Sequence, residues 1–338
     1  MEERKFLIVG SNVRNVAESA RKAGFQVYCL TEHADADLYL YAEEVFRIKN
    51  KSPESVKRTA VQIAETIDAE IIWHSGYEDL ADRKIERITN KRWFYRELER
   101  IGMDFPEILS NGERGILKPE KGGGGENIRF SDKREKGFIL QRYISGIPCS
   151  VSVLSSGKKA VSIATNLMLV GMKEFGADGF RYCGNITPFS SQSEREMRSI
   201  AEELAVYFEL RGNVGVDFIL SDKPYVLEIN PRFQGSLDSV EWAYGRNLFR
   251  AHLDAMKGKF ESWKAKRFAG RAILFAKRDT AVISSPTGNS FFADVPCRGK
   301  TYRKHDPLVS ILASGNDRND VLKKLLERKT VYEVIACR

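Results

Sequence analysis

Two predicted strands late in the chain carry side chains that could together bind a divalent metal. Asp217 lies between apolar residues in the first strand, and Glu228 lies in the second, after a short turn that ends at Pro224. Glu228 and Asn230 are two residues apart, so they face the same side of their strand. Carboxylate and amide oxygens are ligands that Mg²⁺ prefers. These residues therefore predict a Mg²⁺ site that holds phosphates, beside which Arg232 would stabilise charge on a transferred phosphoryl group.

A run of four glycines follows a strand that ends in Lys118 and Pro119. The run consists of Gly122, Gly123, Gly124 and Gly125. Without Cβ atoms, successive amide groups can converge on phosphate oxygens. A flexible surface hairpin is the plainer interpretation, but such a hairpin does not require a lysine and a proline at the strand end. The run is not a Walker A loop, because no Gly-Lys-Ser/Thr follows it. We therefore expect a phosphate-binding loop.

The part of the chain before residue 90 alternates between strand and helix patterns. Strands are predicted at 5–9, 25–30, 45–48 and 69–73, and helices at 13–23 and 54–67. This alternation predicts a parallel sheet with crossover helices, and ligands of such sheets bind beyond the carboxyl ends of the strands. A dinucleotide-binding oxidoreductase is one alternative. However, Asn12 and Asn15 stand where its G-x-G-x-x-G turn would have glycines, and Glu32 is only a lone acid.

The pattern changes after residue 90. A charged helix is predicted over 91–101, short strands with Gly and Pro turns over 114–153, and a long helix over 191–209. A third module with strand patterns begins near Phe268 and ends in a helix over 317–328. The chain therefore reads as an α/β protein of two or three modules.

Composition and charge exclude several classes of protein. Hydrophobic residues make up 42% of the 338-residue chain and charged residues 30%, which is typical of a globular protein. No early apolar run approaches the roughly 20 residues of a membrane span, so we expect a cytoplasmic protein without membrane contact. The net charge of +8 is spread along the chain, which fits anionic small-molecule ligands better than nucleic acid. Five dispersed cysteines predict neither a disulfide framework nor a zinc site.

The chemistry-bearing segments together resemble the ATP-grasp superfamily in order and spacing. They are Lys91, the strand end at Lys118, the glycine run, residues 138–146 and residues 228–232. The similarity covers about residues 5–255 and looks closest to a poorly characterised archaeal carboligase-like group, related to biotin carboxylase and carboxylate–amine ligases. Residues 293–299 and 305–309 are also similar to the small C-terminal domain of biotin-carboxylase-like members. The resemblance implies a Rossmann-like N-terminal domain over 1–90, a two-lobed ATP-grasp fold over 91–260 and a small β-rich C-terminal domain over 261–338.

The resemblance also implies roles for individual residues. Lys91 and Lys118 match the two lysines that contact nucleotide phosphates, and Lys118 and Arg232 would take part in catalysis. The glycine run matches the flap that closes over the β- and γ-phosphates. The hinge between the lobes, whose backbone meets adenine, corresponds to Gln141, Arg142, Tyr143 and Ile144. The Mg²⁺ ligands correspond to Asp217, Glu228 and Asn230.

Two positions depart from the superfamily's pattern. Many relatives have an acidic residue in the hinge where this chain has Arg142, and often a ribose-binding glutamate where Pro148 stands. ATP with Mg²⁺ remains the expected ligand. The ribose contacts and the fine nucleotide preference stay open.

Four further polar residues are candidates for contacts with other substrates. Ser75 and Glu78 follow a strand of the first module, where ligands collect; the alternative is a helix start with acids at its dipole. Arg181 could hold a substrate carboxylate through two hydrogen bonds, and Asn185 could orient it. The alternative there is a loop packed on the sheet with a solvated arginine.

These observations predict an ATP- and Mg²⁺-dependent ligase that joins a small carboxylate to an amine through an acyl phosphate, forming a carbon–nitrogen bond and releasing ADP and phosphate. A bicarbonate-using carboxylase of the biotin type is one alternative, because the tail allows it. A dinucleotide-binding oxidoreductase and a nucleotide-binding regulator without turnover are others. Superfamily members often dimerise, so a homodimer is one option for the assembly.

Overall fold

The computed structural model describes residues 4–337. The helices are α1 (Arg14–Lys22), α2 (Pro53–Ile67), α3 (Arg83–Ile88), α4 (Lys91–Arg100), α5 (Glu194–Tyr207), α6 (Leu237–Tyr244), α7 (Leu248–Met256) and α8 (Arg318–Ala336). The strands are β1 (Lys5–Gly10), β2 (Gln26–Thr31), β3 (Glu44–Arg47), β4 (Glu70–Trp73), β5 (Gly115–Pro119), β6 (Arg129–Ser131), β7 (Phe138–Gln141), β8 (Ile147–Ser156), β9 (Ala160–Val170), β10 (Tyr182–Thr187), β11 (Arg211–Leu220), β12 (Pro224–Asn230), β13 (Phe268–Phe275), β14 (Thr280–Ala281), β15 (Phe292–Ala293), β16 (Thr301–Tyr302) and β17 (Pro307–Gly315). Within residues 4–337, no helix has the length and apolar content needed to cross a membrane.

The first part of the chain forms a four-stranded parallel sheet in the order β3-β2-β1-β4. After Lys5, the residues of β1 are buried on both faces of the sheet, as expected for a strand between two helical layers. Phe6 and Ile8 pack in the cluster that contains α1, whereas Leu7 and Val9 pack with α2 on the opposite face. The elements predicted for residues 5–73 are present, with several ends shifted by one residue.

The second part contains a small antiparallel sheet with β5 between β6 and β7. α4 packs beside this sheet and begins at Lys91, because the Asn90 side chain accepts a hydrogen bond from the Trp93 amide at 3.1 Å and caps the helix. Tyr95 and Leu98 form part of its buried face. Lys91 at the helix start and Lys118 in β5 are thereby placed on neighbouring elements.

The largest sheet has eight strands in the order β12-β11-β8-β9-β10-β13-β17-β15, and all of its neighbours are antiparallel. Strands β13, β17 and β15 from the C-terminal part therefore extend the same sheet that carries the predicted β11–β12 hairpin. α8 continues well beyond its predicted end at residue 328, because Val321, Leu325, Tyr332 and Ala336 maintain one buried stripe along it.

A buried ionic network joins the three parts of the chain. Arg14, at the start of α1, is 1% exposed and donates two hydrogen bonds to Asp238 of α6, at 2.8 and 2.7 Å. Arg14 also donates to Asp294 at 3.1 Å, and Arg271 of β13 donates to the other oxygen of Asp294 at 2.8 Å. Buried charges are stable only when they are paired. These contacts therefore hold the first sheet, α6 and the C-terminal strands in one arrangement.

Candidate active site

A continuous cleft of about 1190 Å³ is lined by residues of the first parallel sheet, the β6-β5-β7 sheet and the eight-stranded sheet. It is lined by the carboxyl ends of β1 and β4, by β5, β7 and the glycine run, and by parts of β11, β12 and β17. A pocket for one drug-sized ligand typically has about 300–1,000 Å³, so the cleft has room for more than one substrate. Most of the predicted site residues line it.

The β11–β12 hairpin places the two predicted metal-binding acids side by side. Asp217 and Glu228 are partners in the strand register. The Asn230 amide donates to Asp217 at 3.2 Å and to Glu228 at 3.4 Å, so the three side chains converge. Burial and the neighbouring Glu228 raise the pKa of Asp217 well above its ordinary value. Burial alone would raise the pKa of Glu228 too, but Lys91 and Lys118 hold it below its ordinary value.

This group of oxygen atoms fits a divalent cation. The acids repel each other, and that repulsion is what a bound cation would remove. Within residues 4–337 no group of three or more His, Cys, Asp or Glu side chains could hold a metal, so the acids of the site are these two carboxylates. The predicted third ligand, the Asn230 oxygen, does not face them, because it accepts from Arg232 while the Asn230 nitrogen donates to the acids. Mg²⁺ is commonly bound by one or two carboxylates together with substrate phosphates and water. The residues present therefore suit Mg²⁺ bound together with a polyphosphate.

Two lysines lie beside the carboxylate pair. The Lys91 ammonium is 3.2 Å from Glu228 and donates a hydrogen bond to the Gly122 carbonyl. Lys118 is 5% exposed and donates to the Tyr95 hydroxyl at 2.5 Å. Burial, with a further contribution from Lys91, lowers the pKa of Lys118 to about 7. A bound polyanion would favour the charged form of Lys118, so Lys118 is suited to contact a phosphate, whereas Lys91 is already paired with Glu228.

The glycine run covers the carboxylate pair. Positive φ angles of 95°, 71° and 76° occur at Gly122, Gly124 and Gly125. A Cβ atom on Gly125 would lie 1.8 Å from the carbonyl oxygen of Phe180, so only glycine permits this approach. A Cβ atom on Gly123 would lie 3.9 Å from a carboxylate oxygen of Glu228. The loop is therefore packed against the β9–β10 connection and lies directly over the predicted phosphate and metal site.

Arg232 follows β12 and lies next to the same group. It donates to Glu78 at 2.7 Å, to the Asn230 oxygen at 3.0 Å and to the Phe233 carbonyl at 3.0 Å. Burial would lower the pKa of Arg232, but Glu78 and Glu228 raise it, so the guanidinium stays charged. The structure thus places Glu78 as the partner that orients Arg232. Glu78 is not among the residues that line the cleft.

The first two residues of the predicted hinge use their side chains in hydrogen bonds to other parts of the protein. The Gln141 side chain is fully buried and donates to the Pro106 carbonyl at 2.6 Å. Arg142 is exposed and donates to Glu107 at 2.8 Å. Both residues nevertheless line the cleft.

The rest of the hinge forms an apolar wall. Tyr143, Ile144 and Pro148 line the cleft. The rings of Phe130 and Phe180 lie 5.3 Å and 6.2 Å from the Tyr143 ring, and form an aromatic group at the mouth. An apolar, aromatic wall of this kind suits a purine base.

The remaining predicted substrate residues are divided between the cleft and the surface. Ser75 and Asn185 line the cleft. Asn185 is 1% exposed and donates to Ser239 at 2.6 Å. The Arg181 guanidinium instead donates to the His305 carbonyl at 2.8 Å. It is therefore held against the C-terminal part and does not line the cleft.

Sequence reasoning missed three residues of the site. Tyr95 accepts from Lys118 and donates to the Leu227 carbonyl at 2.5 Å; its only signal is that it shares a helix face with Lys91, four residues earlier. His74 and Gln234, which are 3% and 8% exposed, line the cleft. His74 directly follows β4, at the edge of the sheet where ligands bind, and this position could have identified it.

A match to a known family covers the residues that form this site. The sequence model of the ATP-grasp domain matches residues 88–236. This range contains both lysines, the glycine run, the carboxylate pair and Arg232. The predicted resemblance to the ATP-grasp superfamily is therefore confirmed, with the family model covering residues 88–236.

Similar proteins extend the likeness over nearly the whole chain. An uncharacterized protein of Methanocaldococcus jannaschii is 27% identical over 97% of this chain and 93% of its own length. Biotin carboxylase from Campylobacter jejuni, solved with β,γ-ATP, has a TM-score of 0.74 and 16% identity, covering 94% of this chain and 89% of that one. L-amino acid ligase from Bacillus licheniformis has a TM-score of 0.68 and 15% identity, covering 98% and 96%. At these identities the solved structures show a shared α/β fold.

Proposed function

We propose that this chain is an ATP-dependent ligase that activates a carboxylate as an acyl phosphate and then joins it to an amine. The observation that carries the proposal is the meeting of the Asp217–Glu228 pair with Lys118 and Arg232 beneath the glycine run. Two carboxylates on one face are stabilised by a bound cation, and the buried Lys118 and Arg232 beside them are stabilised by bound anions. A triphosphate with its metal ion supplies the cation and the anions together.

Each residue has a separate task in this proposal. Lys91 and Lys118 hold the phosphates, and the glycine run excludes water from them. Arg232, kept charged and oriented by Glu78, stabilises the negative charge on the transferred phosphoryl group. Mg²⁺ held by the β11–β12 hairpin would neutralise phosphate charge.

The proposed reaction has two steps. A carboxylate oxygen of the acid forms a bond to the γ-phosphorus while the bond from that phosphorus to the β–γ bridging oxygen breaks, which yields an acyl phosphate and ADP. The amine nitrogen then bonds to the acyl carbon as the carbon–oxygen bond to phosphate breaks. The proton lost by the amine leaves with the phosphate, so the products are an amide and hydrogen phosphate.

We also propose that different domains bind the two substrates. A Rossmann-like domain over 1–90 and a small β-rich domain over 261–338 would enclose the second substrate, while the lobes over 91–260 hold ATP. A cytoplasmic location and a homodimer remain predictions from the sequence.

The test is ATP-dependent hydroxamate formation with hydroxylamine as a surrogate amine and pools of carboxylic acids as substrates. Glu228→Ala and Arg232→Ala should each lower the rate at least about 100-fold. Asp222→Ala, in the exposed turn of the same hairpin, is the matched control and should behave like the wild type. Circular dichroism and urea unfolding would verify that each variant is folded.

Three outcomes would contradict the proposal. Wild-type rates in the folded Glu228 or Arg232 variant would show that the residue does not have the proposed role. The absence of a hydroxamate with any acid, despite binding of Mg·ATP, would do the same. ADP release that depends on bicarbonate alone would assign the site to carboxyl phosphate formation instead.

A further inference from the structure

Tyr95 of α4 is a buried residue that has no task in the proposed chemistry. It is 2% exposed and does not line the cleft, so any effect on a ligand must act through another residue. Its hydroxyl contacts two residues that do line the cleft, Lys118 of β5 and Leu227 of β12. Leu227 directly precedes Glu228. One hydroxyl group therefore joins the helix that begins at Lys91, the strand that carries Lys118 and the strand that carries Glu228.

The directions of the two hydrogen bonds make Tyr95 a fixed acceptor for the lysine. The single hydroxyl proton of Tyr95 goes to the Leu227 carbonyl, at 2.5 Å. The hydroxyl oxygen then presents a lone pair to the Lys118 ammonium, which donates to it at 2.5 Å. Within residues 4–337 the Lys118 side chain makes no other hydrogen bond. The position of the ammonium therefore depends on this one hydroxyl.

The ring of Tyr95 restricts the same lysine from a second side. The Lys118 ammonium lies 4.8 Å from the centre of the ring, within the range of a cation–π contact. The ring is itself held in place, because it stacks on Phe105 with 5.2 Å between the ring centres. A lysine has a long, flexible side chain, and ordering such a side chain on binding reduces affinity. Two contacts with one fixed residue order Lys118 before a ligand binds.

A purely structural role for Tyr95 would need only the bond to Leu227, because that bond already uses the hydroxyl proton. We infer that Tyr95 is a positioning residue, whose hydroxyl and ring hold the Lys118 ammonium at the place where it meets the phosphates of a nucleotide. The inference rests on the proposed function only in that Lys118 binds the phosphates of Mg·ATP.

Titration calorimetry with Mg·ATP in a double-mutant cycle tests this role. Tyr95→Phe keeps the ring and removes only the hydroxyl, so it should weaken binding of ATP about tenfold when Lys118 is present. In the Lys118→Met background the same substitution should change the affinity by less than about twofold, because the lysine that Tyr95 positions is absent. A hydroxyl with a structural role alone would give equal factors in the two backgrounds.

Tyr244→Phe is the matched control for the loss of a buried tyrosine hydroxyl. Tyr244 is 4% exposed, does not line the cleft, and its side chain interacts with Arg198. Its substitution should leave the affinity for ATP within about twofold of the wild type.

The outcomes separate this inference from the ligase proposal. The expected cycle without any hydroxamate would support the role of Tyr95 and contradict the ligase proposal. Equal factors in the two backgrounds, or a folded Tyr95→Phe variant that binds ATP like the wild type, would overturn the role of Tyr95, whatever the hydroxamate assay shows. A wild type that does not bind Mg·ATP would contradict both.

Folding of the variants, followed by urea unfolding, also decides. If Tyr95→Phe folds only together with Lys118→Met, the hydroxyl supports the buried lysine, as inferred. If Tyr95→Phe unfolds the protein in both backgrounds, the hydroxyl has a structural role and the inference is wrong.

Discussion

Replacing Lys118 by methionine should stabilise the nucleotide-free protein while removing a group that turnover requires. Lys118 is 5% exposed, and its ammonium contacts the Tyr95 hydroxyl and no carboxylate within residues 4–337. Such a buried charge is unfavourable unless a polyanion is bound. Methionine has a similar length and no charge. The Tyr95 hydroxyl would still donate to the Leu227 carbonyl, so the substitution leaves it with a partner.

The magnitude follows from the pKa of Lys118. Burial lowers that pKa from 10.5 to about 7. At about 1.36 kcal/mol per pH unit, the difference corresponds to roughly 5 kcal/mol that disfavours folding at pH 7 and below. Losing the hydrogen bond to Tyr95 offsets about 1–2 kcal/mol. The expected net gain in the free energy of unfolding is therefore about 3 kcal/mol at pH 7.

The gain in the free energy of unfolding that Lys118→Met gives should become smaller as pH rises. Between pH 7 and pH 10.5 the unfolded wild type binds a proton at Lys118 that the folded wild type lacks. The stability of the wild type must therefore rise with pH in this window, by up to about 1.4 kcal/mol per pH unit. The methionine variant lacks this contribution. The gap between the two proteins should narrow as pH rises and disappear near pH 9.5 by this estimate.

Urea unfolding of the two proteins at several pH values between 7 and 9.5, without nucleotide, measures the gap. Lys121→Met is the control, because that side chain is 51% exposed. It should change the free energy of unfolding by no more than about 0.5 kcal/mol at any pH. A Lys118→Met variant that is less stable than the wild type, or a gap that does not vary with pH, would show that Lys118 is charged and compensated in the folded protein.

Three further predictions concern the buried network, the glycine run and proton uptake. Asp294→Asn should lower the free energy of unfolding by about 3 kcal/mol, because it leaves the Arg271 charge poorly compensated; a loss below about 1 kcal/mol in urea unfolding would contradict this. Gly125→Ala should raise the KM for ATP far more than Gly124→Ala does, because both have positive φ but only the first meets a main-chain carbonyl; equal KM values would disagree. Binding of ATP at pH 8.5 should take up close to one proton at Lys118, since phosphates raise its lowered pKa; calorimetry in buffers of different ionisation enthalpy measures the uptake, and none would refute it.

The phosphate end of the site could be predicted because its residues lie in short, continuous segments of the sequence. Two apolar strands joined by a short turn pair with each other, so Asp217 and Glu228 had to lie close together. A register shift between Asp217 and Phe218 makes them direct partners, whereas the unbroken register from the turn would pair Asp217 with Leu227. Lys118 is local too, because only three residues of one strand end and turn separate it from the glycine run. Side-chain types in these short segments were sufficient to propose their chemistry.

The side of the cleft next to the C-terminal part could not be predicted, because it depends on contacts between residues that are far apart in the sequence. Arg14 and Asp294 are 280 residues apart, yet their contact sets the position of the C-terminal strands. Arg181 was predicted to hold a substrate, but its guanidinium donates to the carbonyl of His305, 124 residues away. No spacing in the sequence reports such contacts.

The contacts of the two lysines indicate which of them contributes more to nucleotide binding. Lys91 already has an internal partner, Glu228 at 3.2 Å, and it donates to the Gly122 carbonyl. A nucleotide that binds there must replace these contacts, so the net gain at Lys91 is the difference between two sets of pairs. Lys118 has no acid to give up, and the phosphates would relieve the cost of its burial. Lys118→Met should therefore weaken binding of ATP more than Lys91→Met does. Titration calorimetry at pH 7 with Mg²⁺ present measures both affinities, and the reverse order would show that the Lys91–Glu228 pair is not retained in solution.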